Sequence, residues 1–314
     1  MGKRGFLQMS FAWIFALVIG AFILFLAFFI AGKLMGTEQK VQDAIVSKEI
    51  GILLSPLEIG FESGKTTYLE LPKRTRINAE CTKEEPFGKQ HIDVSEETLG
   101  SWSDTYTDLA FSNKYIFTKE SVEGKKFYLF DLPFYFPYKV ADVIVITSIE
   151  DQYCFIDPPQ EVKDRMRNLR LENVHNASMP SQCPAGSKIV CFTGSCNINV
   201  RVNLDDYSGE IVKVGEGVFK VYGESLMYAA IFSDRQTYEC QLKRLMQRTE
   251  KLGEIYNEKS IFINRQGCDS SPGLFPLITL ASSFNNSVDL NFNLIDTMND
   301  AKYINDRNPR CALW

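Results

Sequence analysis

Charge is missing from one stretch of this 314-residue chain: no Asp, Glu, Lys, Arg or His falls between Phe11 and Gly32. Histidine is scarce. Only His91 and His175 occur, both in polar stretches that read as solvated loops, so any Ser–His or Cys–His nucleophile has two positions to draw on. No H-E-x-x-H zinc helix, no G-x-S-x-G elbow and no C-x-x-C is present, and no cofactor or metal motif takes their place. Long basic runs are also absent. Residues 1–35 hold three of the 34 basic side chains and no acid, which leaves 31 basic against 39 acidic in the remainder. An acidic body of net −8 argues against nucleic acid as a partner, because phosphate binding needs a concentrated positive surface. The overall balance, 45% hydrophobic and 23% charged, excludes wholesale disorder.

What fills the uncharged stretch is 22 apolar or small residues. At 1.5 Å per residue they make about 33 Å of helix, enough to cross a hydrocarbon core. A cleaved secretory signal would have a shorter apolar region of about 7–15 residues and a small-residue cleavage site. Here the run ends Ala27-Phe-Phe-Ile-Ala31-Gly32, with bulky side chains where that site should be. Residues 1–35 are therefore expected to be a leader and transmembrane anchor. Lys3 and Arg4 precede the span, so the positive-inside rule keeps the N-terminus cytoplasmic and puts residues 33–314 outside, in the extracytoplasmic space of a single-pass cell-membrane protein. The lipid bilayer is the expected partner. Ala12, Ala16 and Gly20 recur at i+4 and form a small face that suits a second transmembrane helix or a homo-oligomer. Thr37 to Ile45 reads as helical, so residues 36–55 are expected to form a stem, and residues 56–314 the external domain.

The entrance to the span is Lys3-Arg4-Gly5, followed at once by Phe6-Leu-Gln-Met-Ser10-Phe. This resembles the class III leader of type IV pilins and archaeal pilin-like proteins. The resemblance covers about the first 35 residues and implies cleavage between Gly5 and Phe6. The fifth position after that cut, which carries Glu in the bacterial pattern, is Ser10 here. The wider layout resembles uncharacterised membrane-anchored proteins of small-genome archaea. A plain signal anchor, in which Lys3 and Arg4 only set orientation, explains the same residues.

Beyond Pro56 the pattern turns to strands. Arg76-Ile77-Asn78-Ala79-Glu80-Cys81 alternates with period two, placing Ile77, Ala79 and Cys81 on one face, and 197–202 alternates likewise. Residues 126–130 and 142–147 are apolar runs of strand length, and 210–222 reads as a hairpin turning at Gly215-Glu216-Gly217. The stretch 176–187 is the best long loop. After Gly223 the period becomes helical. Ser233-Asp-Arg-Gln236 is a capping-box pattern, and Tyr238, Leu242, Leu245, Leu252 and Tyr256 form a stripe, with Lys243, Arg244, Arg248 and Lys251 assigned to other faces. A second helix is expected within Val288–Tyr303. Strands followed by helices give an α+β class: one N-terminal transmembrane helix, a mainly antiparallel β ectodomain, and C-terminal helices.

The eight cysteines are Cys81, Cys154, Cys183, Cys191, Cys196, Cys240, Cys268 and Cys311, all on the side expected to be oxidising. Up to four disulfides follow, each contributing about 2–4 kcal/mol, in an order the sequence does not choose. The crowded trio Cys183, Cys191 and Cys196 suggests a loop stapled to a strand, and Cys240, Cys268 and Cys311 a tied helical third. Gly60-Phe-Glu-Ser-Gly64-Lys65-Thr66 mimics a phosphate loop, but it has three residues between its glycines instead of four, and strand-like residues follow it. Asn176-Ala-Ser178 and Asn285-Asn-Ser287 match the N-glycosylation pattern. Phe127 to Tyr138 concentrates aromatics, either as core or as an exposed adhesive patch. No catalytic constellation stands out. The expectation is a cell-surface protein with a structural or adhesive role, pilin-like in its leader; the alternatives are an anchored hydrolase or thiol oxidoreductase, or a membrane-complex scaffold.

Overall fold

One helix, α1 (Phe11–Leu54), contains both the uncharged run and the stem, without a break between them. Its 44 residues make a rod of about 66 Å. The segment Trp13–Lys33 is long and apolar enough to cross a membrane. Around its whole circumference large side chains stand bare, among them Trp13, Phe15, Phe22 and Phe28. The computed structural model describes residues 11–54, 66–83, 87–98, 100–103, 108–307 and 309–314. Gly5 and Phe6, and Gly60 to Lys65 of the phosphate-loop mimic, lie outside them.

The body is built on two sheets. The first contains β1 (Thr66–Thr82), β2 (Lys89–Thr98), β3 (Ser101–Trp102), β4 (Asp108–Phe111), β5 (Tyr115–Phe117), β6 (Ser121–Tyr135) and β7 (Lys139–Ser148). Their order is β3-β2-β1-β6-β7-β5, with β4 also on β2. All pairs are antiparallel except β5 with β7. Alternation makes this sheet apolar on both sides. Tyr128, Phe130, Leu132 and Phe134 of β6 and Val143 and Val145 of β7 enter the main core. Phe127, Leu129, Ile144 and Ile146 join Leu69, Leu71, Ile77, Ile92 and Val94 in a second cluster. The end of α1 meets this region: a Cβ added at Gly51 would lie 3.8 Å from Leu109 Cδ1, and Leu109 packs on the second cluster.

The second sheet runs β13-β12-β11-β10-β8-β9. It contains β8 (Tyr153–Ile156), β9 (Val174–Ala177), β10 (Lys188–Cys191), β11 (Ile198–Val202), β12 (Gly209–Lys213) and β13 (Gly217–Val221). The hairpin expected at 210–222 is β12 and β13. The mainly antiparallel pattern gives way in this sheet, where β9, β8, β10 and β11 pair in parallel. Parallel neighbours need a crossover. Between β8 and β9 it is α2 (Gln160–Leu169), a helix inside the region read as strand. Its signal was the buried Val162, Met166 and Leu169 at helical spacing, in a segment otherwise rich in charge.

α3 (Glu224–Phe232) lies between the sheets, buried from Ser225 to Phe232, and touches β5, β6 and β7 on one side and β12 and β13 on the other. Burial all round leaves no polar face, so no helical period marks it in the sequence. Phe232 bridges the sheets, its ring 5.7 Å from Phe130 and 4.7 Å from Tyr153. α4 (Arg235–Asn264) follows with the expected stripe: Tyr238, Leu242 and Leu245 are buried, and Leu252 and Tyr256 pack against the core. Its cap is Asp234, not Ser233. The Asp234 carboxylate accepts from Thr237 N at 2.8 Å, while the Ser233 hydroxyl donates back to Ala229 O at 2.6 Å. Arg244 is not on an outer face but fully buried. α5 (Phe275–Ser282) and α6 (Phe292–Arg307) complete the layer, α6 burying Leu294, Met298 and Ala301 as its spacing predicts.

All eight cysteines are paired. Cys154 joins β8 to the loop at Cys183, as a loop-to-strand staple. Cys191 and Cys196 close the turn between β10 and β11. Cys268–Cys311 ties the segment after α4 to the C-terminal tail. Cys240 departs from the expected helical grouping and bonds Cys81, fixing α4 to β1 across 159 residues.

Candidate functional site

Leu132 to Tyr135 and Pro137, at the β6–β7 turn, form one wall of a cleft of about 400 Å³. The other walls come from Arg165 of α2, from Asp205, Asp206 and Tyr207 in the β11–β12 loop, from Tyr222 to Ser225 entering α3, and from Met298 and Lys302 of α6. The cleft thus sits where both sheets and three helices converge. Local geometry sets the wall. Tyr207 takes the left-handed conformation at φ 53°, and Gly223, at φ 83°, turns the chain into α3. The Gly223 amide donates to Asp206 O at 3.0 Å, and Asp206 Oδ1 accepts from Ser208 N at 2.9 Å, which locks the loop against α3.

Charge in the cleft is of both signs. Arg165 donates to both oxygens of Glu224, at 2.8 and 2.7 Å, a two-pronged pair that fixes α2 to α3. Asp205, exposed, and Lys302, also exposed, extend toward solvent. Aromatic surface lies between them. The Tyr222 ring meets Phe136 edge-on at 5.6 Å, Phe136 stacks on Phe134 at 5.8 Å, and Tyr135 is 56% exposed at the rim. Burial raises the phenol pKa of Tyr207, Tyr222 and the fully buried Tyr228. The arrangement can hold a small polar molecule against aromatic faces and offer it both acceptors and donors.

Arg244, Lys213 and Asp131 are among the charged groups buried elsewhere. Arg244 donates to the carbonyls of Phe87, Phe111, Ser112 and Lys114 and to Gln241 Oε1, and its guanidinium lies 5.0 Å from the Tyr115 ring. Burial lowers its pKa to about 10. Lys213 donates to Ser233 O, and burial lowers it to about 8. Asp131 on β6 is raised to about 6, first by burial and then by Asp142, and its Oδ1 finds no hydrogen-bond partner among the described residues. Arg244 and Lys213 join elements, and none of the three lines the cleft.

The residues singled out from the sequence are scattered. Ala16 and Gly20 lie on α1, where they line a shallow apolar groove with Trp13, Leu17, Ala21 and Leu24; Ala12 is in the first turn of the same helix. Asn176 is exposed on β9, with Ser178 exposed beside it. Asn285 is exposed after α5, whereas Ser287 of its motif is buried and donates to Glu239 Oε1 at 2.7 Å. His91 and His175 lie on strands, not loops, and His175 Nε2 is 2.7 Å from Gln152 Oε1. The aromatic stretch is core from Phe127 to Tyr138 except for the exposed Tyr135 and the half-buried Pro133, so it is not an adhesive patch. Sequence reasoning missed the cleft, because its residues are drawn from segments up to about 170 positions apart, Leu132 to Lys302. Adjacent acids, Asp205-Asp206, before an aromatic in a turn were the one local hint. Among the described residues no group of three metal-ligating side chains occurs. Comparison with protein-family models, with curated proteins and with solved structures finds no match to this chain.

Proposed function

We propose that the chain is a membrane-anchored surface protein: Trp13–Lys33 of α1 crosses the bilayer, the N-terminus stays cytoplasmic, and the disulfide-tied body stands outside in a structural or adhesive role. The observation that supports this most is the ring of bare apolar side chains on α1, from Trp13 to Ile30. Four cysteine pairs favour the oxidising side. Ala12, Ala16 and Gly20 offer close approach to a second helix, as a pilin-like assembly or a homo-oligomer would use. The test is protease treatment of intact cells producing the full chain, with mass spectrometry of the unreduced protein. Digestion of the body from outside, intact cystines and a mature N-terminus at Phe6 are expected for the pilin-like form. An uncut chain starting at Met1 or Gly2 leaves a plain anchor, and a body protected in intact cells with free thiols overturns the topology.

A second reading, an anchored hydrolase, draws on Asp205, Asp206 and Glu224 converging in the cleft. Arg165 holds both Glu224 oxygens, a commitment that favours binding over acid catalysis. Release of reducing ends from an oligosaccharide incubated with the protein would favour the hydrolase.

A further inference from the structure

We propose that the cleft between the β6–β7 turn, the β11–β12 loop and α3 binds a neutral carbohydrate, a mono- or disaccharide unit of a larger glycan. The inference names a ligand for the adhesive role proposed above and rests on that reading only for where the glycan is met.

Charge narrows the class first. Asp205 and Asp206 oppose an anion, Lys302 opposes a cation, and Arg165 and Glu224 neutralise each other as a two-pronged pair. A neutral molecule rich in hydroxyls meets neither opposition. Each hydroxyl both donates and accepts, so it can give a proton to a carboxylate and receive one from an ammonium or guanidinium. The second constraint is shape. Tyr135, Tyr207 and Tyr222 put aromatic surface between the charges, and a pyranose ring has an apolar C–H face to lay on such a surface while its edge hydroxyls turn to polar groups. A volume of about 400 Å³ accommodates one or two sugar rings.

The test uses the full chain in phosphatidylcholine nanodiscs, which carry no sugar headgroup to compete. Maltose, cellobiose, mannobiose and the disaccharide of N-acetylglucosamine are each titrated to about 10 mM with saturation-transfer NMR. At least one is expected to show transfer. Tyr135→Ala and Asp205→Asn, both at exposed positions, are each expected to weaken it about tenfold, the scale of one lost stacking or charge-assisted contact. Tyr68→Ala, an exposed tyrosine on β1, is the control expected to change nothing. Transfer from none of the four, transfer unchanged in both cleft variants, or a preference for glucuronate or glucosamine over their neutral counterparts would overturn the proposal. The measurement does not depend on which side of the membrane the body faces. A body found on the cytoplasmic side would remove the surface-protein reading and leave the cleft result standing.

Discussion

Arg244 and Asp131 show how single buried charges shape this molecule. The Arg244 guanidinium reaches four backbone carbonyls in segments more than 100 residues away in sequence. Arg244→Met would leave those carbonyls without their donor in a dry setting, and the expected loss is about 3–5 kcal/mol in denaturant unfolding. Arg244→Lys is expected to recover little, because a point ammonium cannot span a fan of acceptors. Asp131 works the other way. Its carboxyl titrates at about 6 in the folded chain and near 4 when unfolded. Below about pH 4 both states hold the proton and the group is neutral in its effect. As pH rises from about 4 to 6 the unfolded chain releases its proton first, so folded stability falls, by on the order of 2 kcal/mol, and stays lower above that. Asp131→Asn is expected to raise the melting temperature at about pH 7.5 and to leave it unchanged at about pH 4, read by thermal unfolding at the two values.

At the scale of elements, the start of α4 is the most informative junction. The Asp234 carboxylate caps the helix through Thr237 N and also accepts from Glu120 N in the β5–β6 connection. Asp234→Ala is expected to cost about 1 kcal/mol or more and to speed hydrogen exchange in the first turn of α4 and at Glu120 together. Ser233→Ala, which removes only a bond back to Ala229 O, is expected to leave exchange at Glu120 unchanged. The sequence placed this boundary within one residue, because Ser and Asp are both good caps and only packing decides between them. It also made the period-two strands legible at Ile77, Ala79 and Val200, and the helical stripe of α4. It hid α3, whose Leu226 to Phe232 are apolar all round. It hid α2 behind charge, and it assigned Arg244 to an outer face because a helical wheel cannot foresee carbonyls converging from another layer. The cleft was illegible for a related reason: Tyr135, Asp205, Glu224 and Lys302 meet only once both sheets are in place.

For the whole molecule, the cross-links are graded by reach. Cys81–Cys240 closes 159 residues and Cys191–Cys196 closes 5. Chain-entropy reasoning gives about 5 kcal/mol for the first and about 2 kcal/mol for the second. Cys81→Ser with Cys240→Ser is therefore expected to lower stability far more than Cys191→Ser with Cys196→Ser, as measured by denaturant midpoints of the two double variants. The longer bond joins the first strand of the body to its longest helix, so its loss separates the two ends of the fold rather than loosening a turn. The continuity of α1 from Trp13 to Leu54 has a geometric consequence. With Trp13–Lys33 held in a bilayer, the remaining turns to Leu54 act as a keyed shaft about 30 Å long. Each residue added to or removed from that shaft would swivel the body by about 100° and change its height by about 1.5 Å. The compass bearing of the cleft toward neighbouring molecules is then written in the length of the stem.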